Sequence, residues 1–206
     1  MTKLGLLVIA ALLLGASGLV RAADPAPSGE VTLLKGPASV TQDGRTIRLY
    51  PGASVIVGDR LRTGKGARLK LRMIDGTEIM LGENTEFIVR EFELHETTAR
   101  GLLELTKGFF RAVTGRITKL RDNAFQVKTP LAIIGVRGTD FWGEQHANRL
   151  RIALLGGTAV IVTNDAGSVE LTEAGYGTEV TSPTAAPRPP FRWSPEELQR
   201  AAGTVN

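Results

Sequence analysis

The stretch Phe125–Trp142, FQVKTPLAIIGVRGTDFW, decides how the rest of the chain is read. Phe125, Val127 and Thr129 alternate with Gln126 and Lys128, the period-2 signature of a strand with one buried face. Pro130 removes a backbone donor, so this strand is expected to end there or to run on only at a sheet edge. Leu131–Ile134 is continuously apolar, too short for a stable helix and suited to a strand buried on both faces. Gly135 and Gly138 bracket Val136 and Arg137, and Thr139–Trp142 resumes an extended pattern. A guanidinium in the most apolar part of the chain needs partners, and its planar fork can bond several carbonyls at once. Arg137 is therefore expected to tie the carbonyls of a tight, glycine-bounded bend, with Thr139 bonding nearby. The competing role for Arg137 is contact with a ligand.

Upstream, the same strand logic repeats. Val31–Lys35 alternates. Ala38–Thr41 and Ile47–Tyr50 flank Asp43 and Gly44, a dipeptide that tolerates positive φ and marks a hairpin. Val55–Val57 and Arg60–Arg62 follow, then Ala67–Ile74 and Glu78–Leu81 around a second such dipeptide, Asp75 and Gly76. Phe87–Phe92 reads as a strand and His95–Arg100 as a loop. Leu102–Thr106 and Phe109–Val113 read as a hairpin about Lys107 and Gly108, with a helix over Ala99–Lys107 as the competing reading. Leu150–Leu155, Thr158–Thr163 and Ser168–Thr172 close the series. Units beginning at Gly36, Gly66 and Gly157 share a weak pattern of alternating apolar residues, an Asp/Gly turn and a closing glycine. A lone hairpin cannot bury its apolar face, so such units must stack. The expected fold is all-β, a roll or sandwich of stacked short hairpins or a solenoid-like variant, with a short C-terminal helix.

The mature domain is expected over residues 30–182, after a flexible lead-in at 23–29. Residues 183–206 form a proline-stiffened linker and a helix over Pro195–Ala202, with Ser194 as N-cap, Pro195 at the first helical position and Glu197 three residues after the cap. Such a helix is too short to stand alone, so Phe191, Trp193 and Leu198 must dock on the domain or on a partner. At the other end, Lys3 precedes the apolar run Leu4–Val20, and Val20–Ala22 offers small residues to a signal peptidase. This predicts a secretory signal peptide over residues 1–22. The alternative, a retained anchor, is disfavoured because a span takes about 20 residues. The protein is then periplasmic or secreted, in contact with a membrane only through an uncleaved leader.

The 206 residues suffice for one domain with a sizeable core, 42% of them being hydrophobic. The absence of cysteine rules out disulfides and thiolate metal sites. The net charge of +4, lowered further when Lys3 and Arg21 leave with the leader, does not suggest nucleic-acid binding. No catalytic pattern stands out. His95 and His146 lack metal-ligand spacing, no serine sits in a nucleophile elbow, and Gly64–Gly66 lacks the residues of a phosphate loop. No cofactor or metal is expected. The clearest charge feature is Arg68, Lys70 and Arg72, which point off one strand face: either a binding surface for an anionic partner or a solvated face that guards against edge pairing.

Several short pieces occur in a set order: Gly58–Gly64, Asp75–Thr77, Leu81–Thr85, and the V-x-T-P…VRGT-x-F run ending at Phe141. Together they resemble the FecR-type periplasmic domain, over roughly Val31–Val180. The resemblance implies a periplasmic sensing or interaction domain. It also implies that the motif residues Asp75, Gly76, Arg137, Gly138 and Thr139 serve structure. Signalling members of that family carry a cytosolic sigma-factor-binding segment and one membrane span before the domain. Only three residues precede the apolar leader in this chain, so anti-sigma activity is not carried over. The expected role is a non-enzymatic binding module of the cell envelope, whose partner is another envelope protein or an anionic glycan. Arg68, Lys70, Arg72 and Trp193 are its candidate surface. The alternatives are a domain that binds carbohydrate or anionic envelope polymer, and a membrane-anchored regulator of the FecR sensing type.

Overall fold

The computed structural model describes residues 25–120 and 122–206, so the expected signal peptide over residues 1–22 lies outside the described residues. In chain order the strands are β1 (Gly29–Lys35), β2 (Ala38–Gln42), β3 (Arg45–Arg48), β4 (Ser54–Val55), β5 (Arg60–Thr63), β6 (Arg68–Met73), β7 (Glu78–Leu81), β8 (Glu86–Leu94), β9 (Thr98–Val113), β10 (Asp122–Lys128), β11 (Ile133–His146), β12 (Arg149–Asn164), β13 (Gly167–Leu171), β14 (Tyr176–Val180) and β15 (Phe191–Arg192). A 3₁₀ turn at Arg116–Lys119 follows β9, and one helix, α1 (Pro195–Gly203), follows β15. The fold is all-β with a short C-terminal helix, and the strands join one sheet that does not close on itself.

The sheet is organised around β9. One edge of this strand carries β8 and then β7; the other carries β10 in parallel and then β11 antiparallel. The predicted hairpin at Lys107 and Gly108 is not there, nor is the competing helix. Instead the alternation changes phase: Leu103 and Leu105 are buried before Thr106, Gly108 and Phe110 after it. The register to β8 slips at the same place, pairing Lys107 with Glu86 but Leu105 with Phe87. This is a β-bulge, which re-aims a strand without ending it. Gly108 adopts φ of 99°, and the Thr85 hydroxyl accepts from the Phe109 N–H at 3.0 Å beside it. A similar irregularity explains why Leu150–Leu155 and Thr158–Thr163 form one strand, β12, in place of two.

Asp75 decides where the chain goes after β9. It is buried, and its carboxylate accepts from the Thr77 N–H (2.8 Å), the Thr77 hydroxyl (2.7 Å) and the Ile117 N–H (3.0 Å). The Thr77 hydroxyl accepts from the Gly115 N–H at 2.9 Å, and the Asp75 carbonyl from the Arg116 N–H at 3.0 Å. The turn between β6 and β7 thus holds the segment that leads from β9 into β10, well beyond the local turn role that its Asp-Gly sequence implies. At the other end of β10, Thr129 and Ala132 close a turn around Pro130. Leu131 and Ala132 are therefore in a turn, and Ile133 is 45% exposed, contrary to the expected strand buried on both faces. A turn there satisfies the backbone that Pro130 cannot serve.

The main core draws on nearly every strand, with Phe87, Phe110, Phe125 and Phe141 among its largest buried side chains. A second, smaller cluster lies on the other face of the central strands: Met80, Trp142, Ala153, Trp193, Ala201 and Val205. It is closed by α1, whose capping box is formed as the sequence predicts: Ser194 accepts from the Glu197 N–H, and Glu197 accepts from the Ser194 N–H.

Asp75→Asn places an amide where three donors converge and is expected to cost about 1–3 kcal/mol. The corresponding change in the first hairpin turn, Asp43→Asn, leaves stability within about 0.5 kcal/mol, since Asp43 is exposed at φ of 47° and Asn tolerates that conformation. Urea unfolding of the two variants measures the contrast.

Candidate functional site

The surfaces suggested by the sequence are largely occupied by the protein itself. Arg68, Lys70 and Arg72 do share one face of β6. However, the Arg68 guanidinium donates to the carbonyls of Asn206 and Gly203, both at 3.0 Å, and so holds the end of α1. Lys70 and Arg72 both meet Glu78 of the neighbouring strand, at 2.8 and 3.5 Å. Glu78 is held below the ordinary carboxylate range, chiefly by its hydrogen bond from Lys70. The face is a charge ladder that continues through Arg111–Asp140 and Arg151–Glu197.

Trp193 is 2% exposed and offers no surface to a partner, which corrects its place in the candidate surface. Its ring packs edge-on against Trp142 at 5.6 Å, and the Arg151 guanidinium lies 4.2 Å from its centre. The Trp142 N–H donates to the Thr204 hydroxyl at 3.0 Å. Room for this tail is made by glycines: a Cβ at Gly177 would run into the Trp193 indole, and one at Gly82 into the Thr204 carbonyl. The sequence shows the helix and its aromatic anchors; the glycines that receive them are not distinguishable there from turn glycines.

Arg137 is the second correction. It ties no backbone carbonyls among the described residues. Its side chain is 68% exposed, and its one ion contact there is Glu170 at 3.9 Å. The backbone around it is already paired, since β11 continues through the motif with Arg137 opposite Ala159 and Thr139 opposite Gly157. The Thr139 carbonyl accepts from the Thr114 N–H at 3.0 Å, and the Thr139 N–H donates to the Thr114 hydroxyl at 2.9 Å. The guanidinium points to solvent.

There it lines an open cleft of about 870 Å³. Lys119, from the 3₁₀ turn that Asp75 anchors, stands on it with Arg137. Gly138–Asp140 and Gly156–Thr158 form part of the lining. The two strands approach closely, because a Cβ at Gly157 would collide with the Gly138 carbonyl. Asp140 is already held by Arg111 in a two-point pair, at 2.8 and 2.6 Å, and this bond raises the Arg111 pKa above its ordinary value. The Thr139 hydroxyl is buried without a hydrogen-bond partner among the described residues. The cleft thus brings Arg137, Gly138 and Thr139 together with Lys119, a residue the sequence reading passed over. Asp75 and Gly76 support it from behind and do not line it. His95 and His146 are exposed, and no group of metal-ligating side chains converges among the described residues.

Residues 59–160 match the family described as FecR protein. This stretch is a FecR domain. It contains the Asp75 anchor, all of β9 and β11, and the whole lining of the cleft. No curated protein matches the chain. Two crystal structures of a candidate anti-sigma factor from Parabacteroides distasonis, at 1.65 and 2.50 Å resolution, share its fold with a TM-score of 0.55 and 17% identity. The match covers 68% of this chain and 62% of theirs, so this chain spans less than two thirds of those proteins' length. Among the described residues no helix is long and apolar enough to cross a membrane.

Trp193→Ala is expected to destabilise the protein by about 3–5 kcal/mol, as a large buried aromatic does when truncated. Lys70→Gln, in a half-exposed pair, is expected to cost less than about 1 kcal/mol. Urea midpoints of the two purified variants provide the comparison.

Proposed function

We propose that this chain is an exported, non-enzymatic interaction module of the bacterial cell envelope, acting in a signal-related role, and that it meets its partner through the Arg137 cleft. The observation that carries the reading is the exposure of Arg137. A signature cation stands in solvent on a floor of paired strands, while the other basic and aromatic candidates are engaged within the fold. Positively charged side chains on a rigid scaffold suit recognition of a negatively charged group. The FecR domain supports a regulatory setting, and the apolar run Leu4–Val20 supports export to the periplasm or beyond. Binding of an anionic envelope polymer is the second reading, favoured by Lys119 and Arg137 standing on one cleft. Against it, no aromatic side chain among the described residues lines that cleft to stack on a sugar ring.

Photo-crosslinking in intact cells tests the reading, with the probe replacing Thr158 on the exposed rim and a control probe replacing Lys128 away from the cleft. Discrete protein adducts at 158 alone are expected. Diffuse polymer-sized products at 158 would transfer the function to the second reading, and no adduct from a correctly folded protein would refute both. Intact-mass analysis of the recovered protein is expected to find Ala23 as the first residue. A retained leader would instead make the chain an anchored regulator.

A further inference from the structure

We infer that the Arg137 cleft recognises a single carboxylate, an Asp or Glu side chain presented by the partner protein; this rests on the interaction reading above and specifies its chemistry. The charge balance points to a monoanion. Among the described residues, Asp140 and Arg111 cancel each other through their two-point pair. Arg137 and Lys119 remain, and Arg137 has an ion contact with Glu170, at 3.9 Å. That leaves one positive charge uncompensated, enough for one carboxylate. A phosphate dianion would bring a second negative charge close to Asp140 and Glu170.

The geometry agrees. At 3.9 Å the Glu170 oxygen is beyond hydrogen-bond length, so the Arg137 fork keeps its donors available to a planar, two-oxygen acceptor. The Arg111–Asp140 pair, on the same cleft, displays the arrangement such a contact takes. Thr158 adds an exposed hydroxyl on the rim. Thr139 supplies a buried hydroxyl that has no partner among the described residues. Apart from Val113 the lining is polar, charged or glycine, which suits a charged side chain entering from solvent. Gly156 is the position that lets the cleft be closed without disturbing the fold. A Cβ there meets nothing within 4 Å, so a larger side chain extends into open space.

The test is an amide NMR titration of the isotope-labelled mature protein. The probe is N-acetyl-glutamate amide, with N-acetyl-glutamine amide as the uncharged control and glucuronate and inorganic phosphate as competitors. Saturable shifts at Gly138, Thr139 and Gly156–Thr158 are expected for the glutamate probe, with an isolated-contact Kd on the order of 10 mM, weakening as salt is raised. Arg137→Gln is expected to weaken binding roughly fivefold or more, in line with loss of a charge-assisted contact. Gly156→Leu is expected to abolish binding while the remaining spectrum superimposes on that of the parent protein. Equal shifts with the glutamine control, no saturation, or unchanged binding by Arg137→Gln would overturn the proposal. Tighter binding of phosphate would overturn the choice of a monoanion, and tighter binding of glucuronate would reassign the cleft to a glycan. Its failure and that of the interaction reading are separable. Protein adducts at position 158 without carboxylate selectivity leave the interaction reading standing, whereas carboxylate binding without cellular adducts does the reverse.

Discussion

A buried carboxylate governs the architecture. Asp75 is placed in a turn, yet half of its hydrogen bonds reach across the chain. Its oxygens and carbonyl take up donors from residues 116 and 117, about forty positions later in the chain. Those donors belong to the one connection in the domain that must carry the chain from the end of β9 back to start β10 in parallel beside it. A parallel neighbour needs a crossover, and crossovers leave backbone groups without ladder partners. Asp75 and Thr77 supply them. Once β10 is fixed, β11 can turn at Pro130 and pass from β10 to the far half of β9, and the cleft forms where β9, its crossover, β11 and β12 meet.

How much of this was legible in the sequence can be judged from particular residues. The Asp43–Gly44 hairpin, β7 and the capping box of α1 follow from local chemistry and are where the sequence puts them. Lys107–Gly108 misleads because a glycine at positive φ serves a bulge as well as a turn, and only the partner strand's register separates the two. The surface residues misled for a different reason. Alternation correctly put Arg68, Lys70 and Arg72 on one face, but whether that face is free depends on Glu78 and on Gly203 and Asn206. Glu78 is a hairpin neighbour that register arithmetic could have supplied. The other two lie more than a hundred residues away and leave no local trace.

Arg137 shows the same limit from the opposite side. An arginine among apolar residues suggested a buried structural bond, on the premise that its strand would be enclosed. The strand is enclosed on either side of it, at Val136 and Phe141, while the positive-φ glycine at 138 interrupts the regular alternation between them. Arg137 falls on the outward phase of the alternation that buries Ile134 and Val136, and its guanidinium is left to solvent. Lys70 and Arg111 have cross-strand partners at 2.8 and 2.6 Å; Arg137 has one at 3.9 Å. The distinction between a charge that completes the fold and one left over from it is what separates the cleft from the ladder.

The grip of Arg68 on Asn206 joins residues 138 positions apart. A ribosome delivers residue 68 long before residue 206, and from the moment Ala153 is made until Trp193 and α1 follow, the second apolar cluster has no cover: Met80, Trp142 and Ala153 have been made and the segment that shields them has not. Closing so long a loop is entropically costly and slow compared with hairpin formation. The domain therefore has an interval in which its sheet can be laid down while its back remains adhesive, and the arrival of the tail marks the end of that interval.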